Sequence, residues 1–344
     1  MSVDPRYIRQ TRFASFGEGG QEKLRASRAL VVGCGALGSV IAESLTRAGV
    51  GHLRIVDRDF LEISNLHRQV LYDEDDVAAE LPKAIAAKNK LNRINSQVEI
   101  EALVCDVDFT NIERLCDDVD CICDGTDNFE TRFLLNDAAH AFNKPWVYGG
   151  CIGAEGQQMT IIPGTSVCLR CLMGDVPPPG TTPTCDTAGV LGPIVNVVAS
   201  TQAIEAIKIL SGNLDAVSRT LNVVDLWDSR WRQIKLDSLR DRSNCPTCQQ
   251  SQYPWLNGEK GGSSAVLCGR NAVQLSLADR VEVDLKSLED KLSSLNFDVR
   301  RNPFLLRADT GTYTLTVFSD GRVIVGGTED VAEAKTVYAR YVGA

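Results

Sequence analysis

The chain contains 344 residues, 44% of them hydrophobic and 24% charged, which suffices for one large buried core and a second, smaller domain. The formal net charge of −9 argues against a basic surface, so we expect no nucleic-acid partner. Residues 1–10 lack the apolar core of a signal peptide, and no later stretch is apolar for the length of a membrane span, so we expect a cytoplasmic protein without a membrane partner. In that setting, the twelve cysteines favour metal binding or thiol chemistry over disulfides.

A nucleotide-binding region is predicted over residues 28–145, after an N-terminal helix over residues 1–27. It opens with a βαβ unit: a strand over 29–32, the turn G-C-G-A-L-G, a helix ending at Ala48 and a strand over 53–56. The alternation continues with a helix, a strand, a helix and a strand over 81–92, 98–104, 111–115 and 119–123. This order predicts a doubly wound α/β fold with a parallel sheet at its core.

Residues 146–248 combine glycine-broken strands, a long loop and an apolar helix. The strands are predicted over 147–156 and 157–162. The loop over 173–187 is rich in Pro, Thr and Gly, and loops of this length are typically mobile or functional. The helix over 194–210 has an apolar face broad enough for a core or for a subunit interface.

The C-terminal part of the chain is predicted to be a separate module. The polar segment 249–264 contains glycines and has no hydrophobic pattern, so we place a linker there. A small α+β module follows over 265–344. Its predicted elements are a strand, a helix, three strands and a helix, over 265–275, 285–295, 298–307, 312–318, 322–325 and from Glu329 onward.

The turn of the βαβ unit is typical of a phosphate-binding site. Gly33, Gly35 and Gly38 allow a tight turn and let backbone N–H groups approach a phosphate at a helix N-terminus. Asp57, after the second strand, can accept from ribose hydroxyls. By itself this pattern fits an NAD enzyme equally well, and glycines required only for helix–strand packing are a further alternative.

The residues that follow the turn favour ATP over NAD. D-R-D-F-L-E-I-S-N-L-H-R-Q follows the second strand, L-P-K lies downstream, and D-G-T-D-N ends a later strand. Arg68 and Lys83 supply cations for a triphosphate and Asp127 a hard oxygen ligand for Mg²⁺, which nucleotidyl transfer requires and hydride transfer does not. The alternatives are that the two cations are solvated surface charges and that Asp127–Asn128 caps the helix containing F-E-T-R-F.

Two C-x-x-C pairs predict a metal site. C-L-R-C contains Cys168 and Cys171, and C-P-T-C contains Cys245 and Cys248. Each pair can present two thiolates to one ion, and together they form a closed four-sulfur site of the structural zinc type. A redox-active pair is the alternative.

With these motifs the sequence resembles the molybdopterin-synthase and thiamine-biosynthesis adenylyltransferases, the MoeB/ThiF/HesA family, which is related to the ubiquitin-activating enzymes. The resemblance extends from about Arg6, in R-Y-I-R-Q, to Cys248. It implies a Rossmann-like sheet of the ubiquitin-activating type with structural zinc, as an ATP-binding domain over residues 1–248. The implied reaction is ATP- and Mg²⁺-dependent adenylation of the C-terminal glycine of a small ubiquitin-like sulfur carrier ending in Gly-Gly, with release of pyrophosphate.

The resemblance also implies roles for individual residues around the nucleotide. Asp57 would hold the ribose, and Asp59 and Asn65 would line the nucleotide pocket. Arg68 and Lys83 would bind the phosphates.

Three further roles are implied by the resemblance. Asp127 would hold magnesium, and Arg9 would reach the phosphates of the partner subunit, since the family forms homodimers. Cys185, in T-P-T-C-D-T-A-G, stands at the family's sulfur-handling or thioester position, where a thiolate would attack the adenylate or a persulfide from a sulfur donor protein. A half-exposed cysteine without a role is the alternative, because not every member of the family depends on this position.

The remaining cysteines and the histidines have no assigned catalytic role. The cysteines are Cys34, Cys121, Cys123 and Cys151, predicted to be buried in apolar surroundings, and Cys105 and Cys116, which carry no motif. The histidines are His52, His67 and His140, each without a second histidine at metal spacing. The C-terminal module departs from eukaryotic relatives that carry a rhodanese domain, because it is shorter and its one cysteine, Cys268, is predicted to be a buried strand residue.

Two other classes of function remain open on the sequence. The first is an NAD-dependent oxidoreductase, which would bind NAD in place of ATP with magnesium. The second is a catalytically silent scaffold of an activating complex, although Arg9, Arg68, Lys83 and Asp127 in one chain argue against it. The C-terminal module would bind the ubiquitin-like partner or stabilise the dimer.

Overall fold

The computed structural model describes residues 4–177, 185–242, 244–260, 264–267, 271–275 and 283–343. The chain divides into two compact units, Met1–Lys260 and Gly261–Ala344.

The first unit is built around a mixed eight-stranded sheet. Its strands are β1 (Arg28–Val32), β2 (His52–Val56), β3 (Glu99–Leu103), β4 (Cys121–Asp124), β5 (Trp146–Ile152), β6 (Glu155–Ile161), β7 (Thr220–Asp225) and β8 (Arg230–Lys235). They lie in the order β3-β2-β1-β4-β5-β6-β7-β8. β1 to β5 pair in parallel, and β5 to β8 pair antiparallel. The predicted α/β fold with a parallel core is confirmed.

Helices and short 3₁₀ turns connect these strands. The helices are α1 (Ile8–Thr11), α2 (Gly17–Ala26), α3 (Ala36–Ala48), α4 (Glu74–Ala78), α5 (Lys83–Ile94), α6 (Ile112–Cys116), α7 (Phe129–Ala141), α8 (Leu169–Met173), α9 (Cys185–Ala188), α10 (Gly192–Leu210) and α11 (Asp237–Arg242). The 3₁₀ turns are Pro5–Tyr7, Ile63–Asn65 and Leu214–Ala216.

Both faces of the parallel sheet are covered, so its central strands are apolar at successive positions. On one face Val31 of β1 packs in a core with Ile41 of α3 and Val198 of α10. On the other face Leu30 of β1 packs in a second core with Phe133 of α7. Successive strand residues point to opposite faces, and each core therefore takes alternate residues of the same strand. This is the layering of a doubly wound fold.

α10 is long and apolar, and among the described helices it is the one with the length and composition of a membrane span. Its inner side packs against α3 and against β4, β5 and β6. More than half of the apolar stretch of α10 is buried inside the unit, as is typical of a core helix. The prediction of a helix here is confirmed, and its packing favours the core interpretation.

The last two strands of the sheet, β7 and β8, were not predicted, and the N-terminal helix was predicted too long. Every residue of β8, R-W-R-Q-I-K, is exposed, so the strand lacks the alternating pattern by which a half-buried strand is recognised. Near the N-terminus, Gly17 has a φ of 63°, a left-handed conformation that interrupts a right-handed helix. The segment therefore forms α1 and α2 in place of one helix.

The first unit extends past the predicted boundary at Cys248. Trp255 is buried, and its ring lies 5.9 Å from the ring of Phe133. Its backbone N–H donates to Oδ2 of Asp137 at 2.9 Å. One aromatic side chain thus anchors a polar stretch that was predicted to be linker, and the first unit ends at Lys260.

The second unit is a six-stranded antiparallel sheet with two helices. Its elements are β9 (Ser264–Leu267), β10 (Ala272–Leu275), α12 (Leu285–Ser293), β11 (Asp298–Arg301), β12 (Leu305–Asp309), β13 (Thr314–Phe318), β14 (Val323–Gly326) and α13 (Val331–Tyr341). The strand order is β11-β12-β13-β14-β10-β9. Both helices pack on the core formed by one face of this sheet, as an α+β module requires.

In the second unit, two stretches were each predicted to form one strand, and this is wrong, because each contains parts of two strands. The stretch 265–275 contains β9 and β10, which pair antiparallel. The stretch 298–307 contains β11 and most of β12, which also pair antiparallel. Between the latter two, Oδ1 of Asn302 accepts from the backbone N–H groups of Phe304 and Leu305 and so stabilises the reversal of the chain.

Candidate nucleotide site and cysteine cluster

The candidate nucleotide site lies at the carboxyl ends of β1, β2 and β4, where the strand order reverses. β1 pairs with β2 on one side and with β4 on the other. The loops that leave these strands diverge, and in open α/β sheets such crevices bind ligands. The predicted glycines follow β1, Asp57 follows β2, and Asp127 follows β4.

The glycine turn is packed backbone against backbone. Gly33 has a φ of 82°, and its N–H donates to the carbonyl of Val56 at 2.7 Å. A Cβ on Gly38 would lie 1.8 Å from the carbonyl oxygen of Gly33. A Cβ on Gly125 would lie 2.2 Å from the same atom. The packing alternative therefore describes Gly33 and Gly38 correctly.

Gly35 is different from its two neighbours in the motif. A Cβ there would come no closer than 3.7 Å to its nearest neighbour, Nε2 of Gln69, so packing does not require a glycine. Gly35 immediately precedes α3, whose first N–H groups have no intrahelical partners. The space beside Gly35 is thus open to a ligand that binds the free N–H groups at the start of α3.

Asp57 holds this turn in place. Its carboxylate accepts from the backbone N–H of Cys34 at 2.6 Å and from that of Asp59 at 2.7 Å. Burial raises the pKa of Asp57, and the positive charge of Lys83 opposes that shift. The ribose contact implied by the family resemblance stays a prediction.

Lys83 is not a solvated surface charge, since its side chain is only 5% exposed. Its Nζ donates to Oδ2 of Asp59 at 3.0 Å, and its backbone N–H donates to the carbonyl of Asp59 at 2.9 Å. The hydroxyl of Tyr72 donates to the carbonyls of Cys34 and Lys83, at 2.7 and 3.2 Å. Tyr72 therefore joins the glycine turn to the start of α5.

Arg58 joins the loops after β2 and β3, and sequence reasoning missed it although it is the second residue of the motif quoted after the second strand. Its Nη1 donates to both carboxylate oxygens of Asp106, at 3.2 and 3.1 Å, and its Nε lies 3.9 Å from Oδ1 of Asp59. Burial lowers the pKa of Arg58, but the carboxylates of Asp106, Asp59 and Asp127 outweigh this and raise it. The guanidinium therefore stays charged beside the predicted magnesium ligand.

Asp127 is exposed, and it does not cap α7. The capping group is its neighbour Asn128, whose Oδ1 accepts from the backbone N–H of Thr131 at 2.8 Å. The capping alternative is thus correct for Asn128 alone. The carboxylate of Asp127 projects from the loop that follows β4, as a ligand for a hard cation must.

A buried ion pair, also missed by sequence reasoning, supports the loop that carries Asp127. Oδ1 of Asp124 accepts from the N–H and from the hydroxyl of Thr126, at 2.9 and 2.7 Å. Nε of Arg132 lies 3.4 Å from Oδ2 of Asp124, and its Nη2 donates to the carbonyl of Thr126 at 2.6 Å. Burial raises the pKa of Asp124, and the charge of Arg132 opposes that shift.

Asn65 and Arg68 lie in the 3₁₀ turn after β2 and the loop that continues it. Oδ1 of Asn65, which is buried, accepts from the backbone N–H of Glu62 at 3.0 Å and so shapes the turn. Arg68 is partly exposed, and its Nη1 donates to the carbonyl of Ser64 at 2.9 Å. Close by in sequence, the buried Gln69 has no hydrogen-bond partner for its Oε1 among the described residues. A signal for Gln69 was present, since it ends the quoted motif.

Arg9 is not brought to the glycine turn of its own chain. Arg9 is exposed on α1, and the next residue, Gln10, donates from Nε2 to the carbonyl of Ala48 at 2.9 Å. Ala48 is the last residue of α3, whereas the glycine turn precedes the first. A helix of this length spans about 18 Å, which is too far for one arginine side chain.

The four motif cysteines form a compact cluster. Sγ of Cys168 lies 3.7 Å from that of Cys171 and 3.5 Å from that of Cys245, and Sγ of Cys171 lies 3.4 Å from that of Cys248. All four sulfur atoms lie within 4.8 Å of one another. Four thiolates bound at about 2.3 Å around a tetrahedral zinc lie about 3.8 Å apart, so this donor set fits the ion.

The position of Cys185 in the fold is only partly described. It is the first residue of α9, but its side chain and residues 178–184 lie outside the described part of the chain. After α9 the chain is tied to the β5–β6 turn, because Gly153 donates to the carbonyl of Gly189 at 2.8 Å and Leu191 donates to that of Gly153 at 2.9 Å. The predicted role of Cys185 stays a prediction.

The other cysteines are mostly buried, as predicted. Cys34, Cys121 and Cys123 are fully buried, whereas Cys151 is half-buried. Cys268 lies outside the described residues.

The fold and the site together define a Rossmann-like nucleotide-binding protein. A cysteine cluster that could hold a metal ion forms a second, separate site. A sequence model of the ThiF family matches residues 7–247. The chain is 43% identical to the sulfur carrier protein ThiS adenylyltransferase of Bacillus subtilis (strain 168), over 98% of this chain and 99% of that protein. It is 38% identical to the adenylyltransferase and sulfurtransferase MOCS3 of Culex quinquefasciatus, over 72% of this chain, which spans about half (55%) of that protein.

A solved structure agrees on the fold. E. coli MccB, crystallised with ATP, matches with a TM-score of 0.59 at 21% identity, over 67% of this chain and 71% of that chain. The chain belongs to the ThiF family. The family resemblance and the enzyme class expected from the sequence, an adenylyltransferase, are thereby confirmed.

Proposed function

We propose that the chain adenylates the C-terminal glycine carboxylate of a small ubiquitin-like sulfur-carrier protein, using ATP with Mg²⁺ and releasing pyrophosphate. The observation that carries this proposal is the pairing of Lys83 with Asp59, 3.9 Å from Arg58, beside the glycine turn, at the sheet edge where Asp127 follows β4. The name of the B. subtilis relative supports the choice of a sulfur carrier as substrate.

The chemistry explains why a site with cations for the phosphates, but without a strong base, suffices. A carboxylate is a poor acyl donor because oxide would have to leave, and transfer of AMP converts that leaving group into a phosphate ester. The attacking carboxylate is already ionised. Catalysis then consists of holding it in line with the α-phosphate and neutralising charge that develops on the phosphates.

Each residue predicted to bind the nucleotide has a part in this proposal. The N–H groups beside Gly35, at the start of α3, receive the phosphates, and Asp57 accepts from the ribose. Arg68 and Lys83 bind the phosphates, and Asp59 and Asn65 line the pocket. For Lys83 this requires that its ammonium divide its hydrogen bonds between Asp59 and a phosphate, which three N–H donors allow.

Magnesium and zinc have separate parts in the proposal. Asp127 would hold Mg²⁺, which when bound neutralises phosphate charge. The four motif cysteines would hold a structural zinc that joins residues near the end of the first unit to its middle, and a sulfur-only closed site has no position for a substrate.

A second step at Cys185 completes the proposal. A thiolate there would attack the acyl adenylate, forming a thioester with the carrier and expelling AMP. Alternatively, it would attack the outer sulfur of a donor protein's persulfide, forming a persulfide on Cys185 and releasing the donor's thiolate. The enzyme would act as a homodimer in the cytoplasm, where thiols stay reduced. An NAD-dependent oxidoreductase is less favoured, because hydride transfer has no use for the cations and carboxylates gathered here. A silent scaffold is less favoured for the same reason.

Removal of the Asp127 carboxylate tests the proposal. In Asp127→Ala, carrier-dependent exchange of pyrophosphate into ATP should fall at least about a hundredfold, because charge neutralisation worth several kcal/mol is lost. The thermal midpoint should stay unchanged, since Asp127 is exposed. Glu130→Ala, at an exposed position of the same region, is the matched control and should exchange normally. Near-normal exchange in Asp127→Ala would contradict the proposal.

A further inference from the structure

Two adjacent residues of α7 hold both cysteine pairs. Asn136 and Asp137 are fully buried. Oδ1 of Asn136 accepts from the backbone N–H of Leu169, the residue after Cys168, at 2.9 Å. Oδ1 of Asp137 accepts from the hydroxyl of Thr247, inside the second pair, at 3.2 Å.

Asp137 also holds the chain beyond the second pair. Its Oδ2 accepts from the backbone N–H of Trp255 at 2.9 Å, and the backbone of Leu256 is a further hydrogen-bond partner. The ring of Trp255 packs on Phe133, one turn earlier in α7. One carboxylate therefore fixes the chain on both sides of Cys248.

The cysteine pairs need such a support. Cys168 and Cys245 are 77 positions apart in sequence, yet their sulfur atoms lie 3.5 Å apart. Cys168 precedes a helix of a single turn, α8, and the second pair lies in a turn without regular structure. Neither segment has a long element of its own to fix its direction, whereas α7 contacts both.

We propose that Asn136 and Asp137 are positioning residues of the metal site: they set the distance and orientation between the two cysteine pairs, and the tightness of zinc binding depends on them. Asn136 satisfies an N–H at the start of α8 that has no intrahelical partner and so fixes the first pair. Asp137 fixes the second. This inference rests on the proposed zinc site.

The test measures zinc release from the purified full-length protein. Asp137→Leu keeps the approximate size of the side chain but removes both acceptor oxygens, so that neither Thr247 nor Trp255 has a partner at this position. Asn136→Leu removes the acceptor for Leu169. Zinc transfer to the chelator 4-(2-pyridylazo)resorcinol under native conditions should be about 10- to 100-fold faster in both, which is the size of the loss in metal affinity when a group that orients metal ligands is removed.

A matched control separates positioning from general stability. Asn95 is also fully buried in the first unit, and its Nδ2 donates to the hydroxyl of Tyr7 and the carbonyl of Thr46, at 2.8 and 2.9 Å. Asn95→Leu should lower the thermal midpoint but release zinc at the wild-type rate. With Co²⁺ in place of zinc, the absorption bands should shift in the α7 variants and not in this control.

Thr247→Val keeps the test decisive if the α7 variants do not fold. It removes the hydroxyl that donates to Asp137 and that accepts from Nη1 of Arg170 at 3.4 Å, and it leaves intact the hydrogen bond that Asp137 accepts from Trp255. Faster zinc release with an unchanged thermal midpoint is the expected result. Release rates in these variants that match those of the wild type or of Asn95→Leu would overturn the inference. A wild type that carries no zinc would overturn the metal site itself, and measurement of its zinc content distinguishes that failure.

Discussion

Cys34 shows how one buried residue of the site is protected from chemistry. It lies inside the glycine turn, its N–H is bound by Asp57, and its carbonyl accepts from Tyr72. Burial raises the pKa of its thiol to about 12, although the hydrogen bond with Tyr72 opposes the shift. Only the thiolate is a nucleophile. The residue is therefore part of the packing of the turn.

We predict that Cys34 resists alkylation in the native protein. At pH 8 about one thiol in ten thousand would be ionised, and the fraction rises tenfold for each pH unit until the pKa is approached. Iodoacetamide at pH 8, followed by peptide mass spectrometry, should leave Cys34 unmodified until denaturant is added. Labelling of the folded protein should increase with pH and not decrease. Rapid labelling at neutral pH would show that the turn opens in solution.

The sequence predicted charged residues of the site by type but not their contacts. Lys83 was found in L-P-K, downstream of the motif after the second strand, and Asp127 in D-G-T-D-N, which ends a later strand. Arg58 was quoted within a motif but not selected, and its partner Asp106 was missed, since the two are 48 positions apart and Asp106 belongs to no motif. Single residues next to a motif are recognisable, whereas an ion pair that joins two loops depends on how the sheet is ordered.

At the scale of elements, the strand–turn–helix of β1 and α3 has two kinds of glycine. Gly38 faces the carbonyl of Gly33, and no side chain fits between the helix and the turn. Gly35 faces open space at the start of α3. One motif therefore serves packing at one position and, in the proposed function, a phosphate at another.

Two alanine substitutions should separate these uses. Gly38→Ala would place its methyl group against a backbone oxygen, so we expect a loss of about 3 kcal/mol or more in the free energy of unfolding. Gly35→Ala should unfold in urea at nearly the wild-type midpoint, yet bind ATP at least about tenfold more weakly, because the methyl group occupies space beside the helix N-terminus. Wild-type ATP affinity in Gly35→Ala, measured by calorimetry, would argue against phosphate binding at this turn.

Elements with a clear pattern were predicted well, and those without one were not. The βαβ unit has buried strands and an amphipathic helix, and its bounds agree with the structure within a few residues. β7 and β8 form the antiparallel end of the sheet, where one strand is exposed throughout. Formation of β7 depends on pairing with β6, and formation of β8 depends on pairing with β7. A local sequence pattern does not contain this information.

At the scale of the whole molecule, α7 connects the two candidate sites. It begins after Asp127 and Asn128 and ends beside the cysteine cluster that Asn136 and Asp137 support. Loss of order at the cluster would therefore act on the helix that follows Asp127, the predicted magnesium ligand. The B. subtilis relative matches nearly the whole chain, both units included, whereas the match to MOCS3 covers 72% of it.

The position of Arg9 leads to a prediction about the assembly. Because α1 is attached at the far end of α3, Arg9 can serve a nucleotide site only in a second copy of the chain. Arg9→Ala and Asp127→Ala should each abolish pyrophosphate exchange when pure. When equal amounts are dissociated and reassociated together, half of the dimers are mixed, and each mixed dimer has one site with both residues intact. Exchange should then recover to about a quarter of the wild-type rate. No recovery, although native mass spectrometry detects mixed dimers, would place Arg9 outside the site.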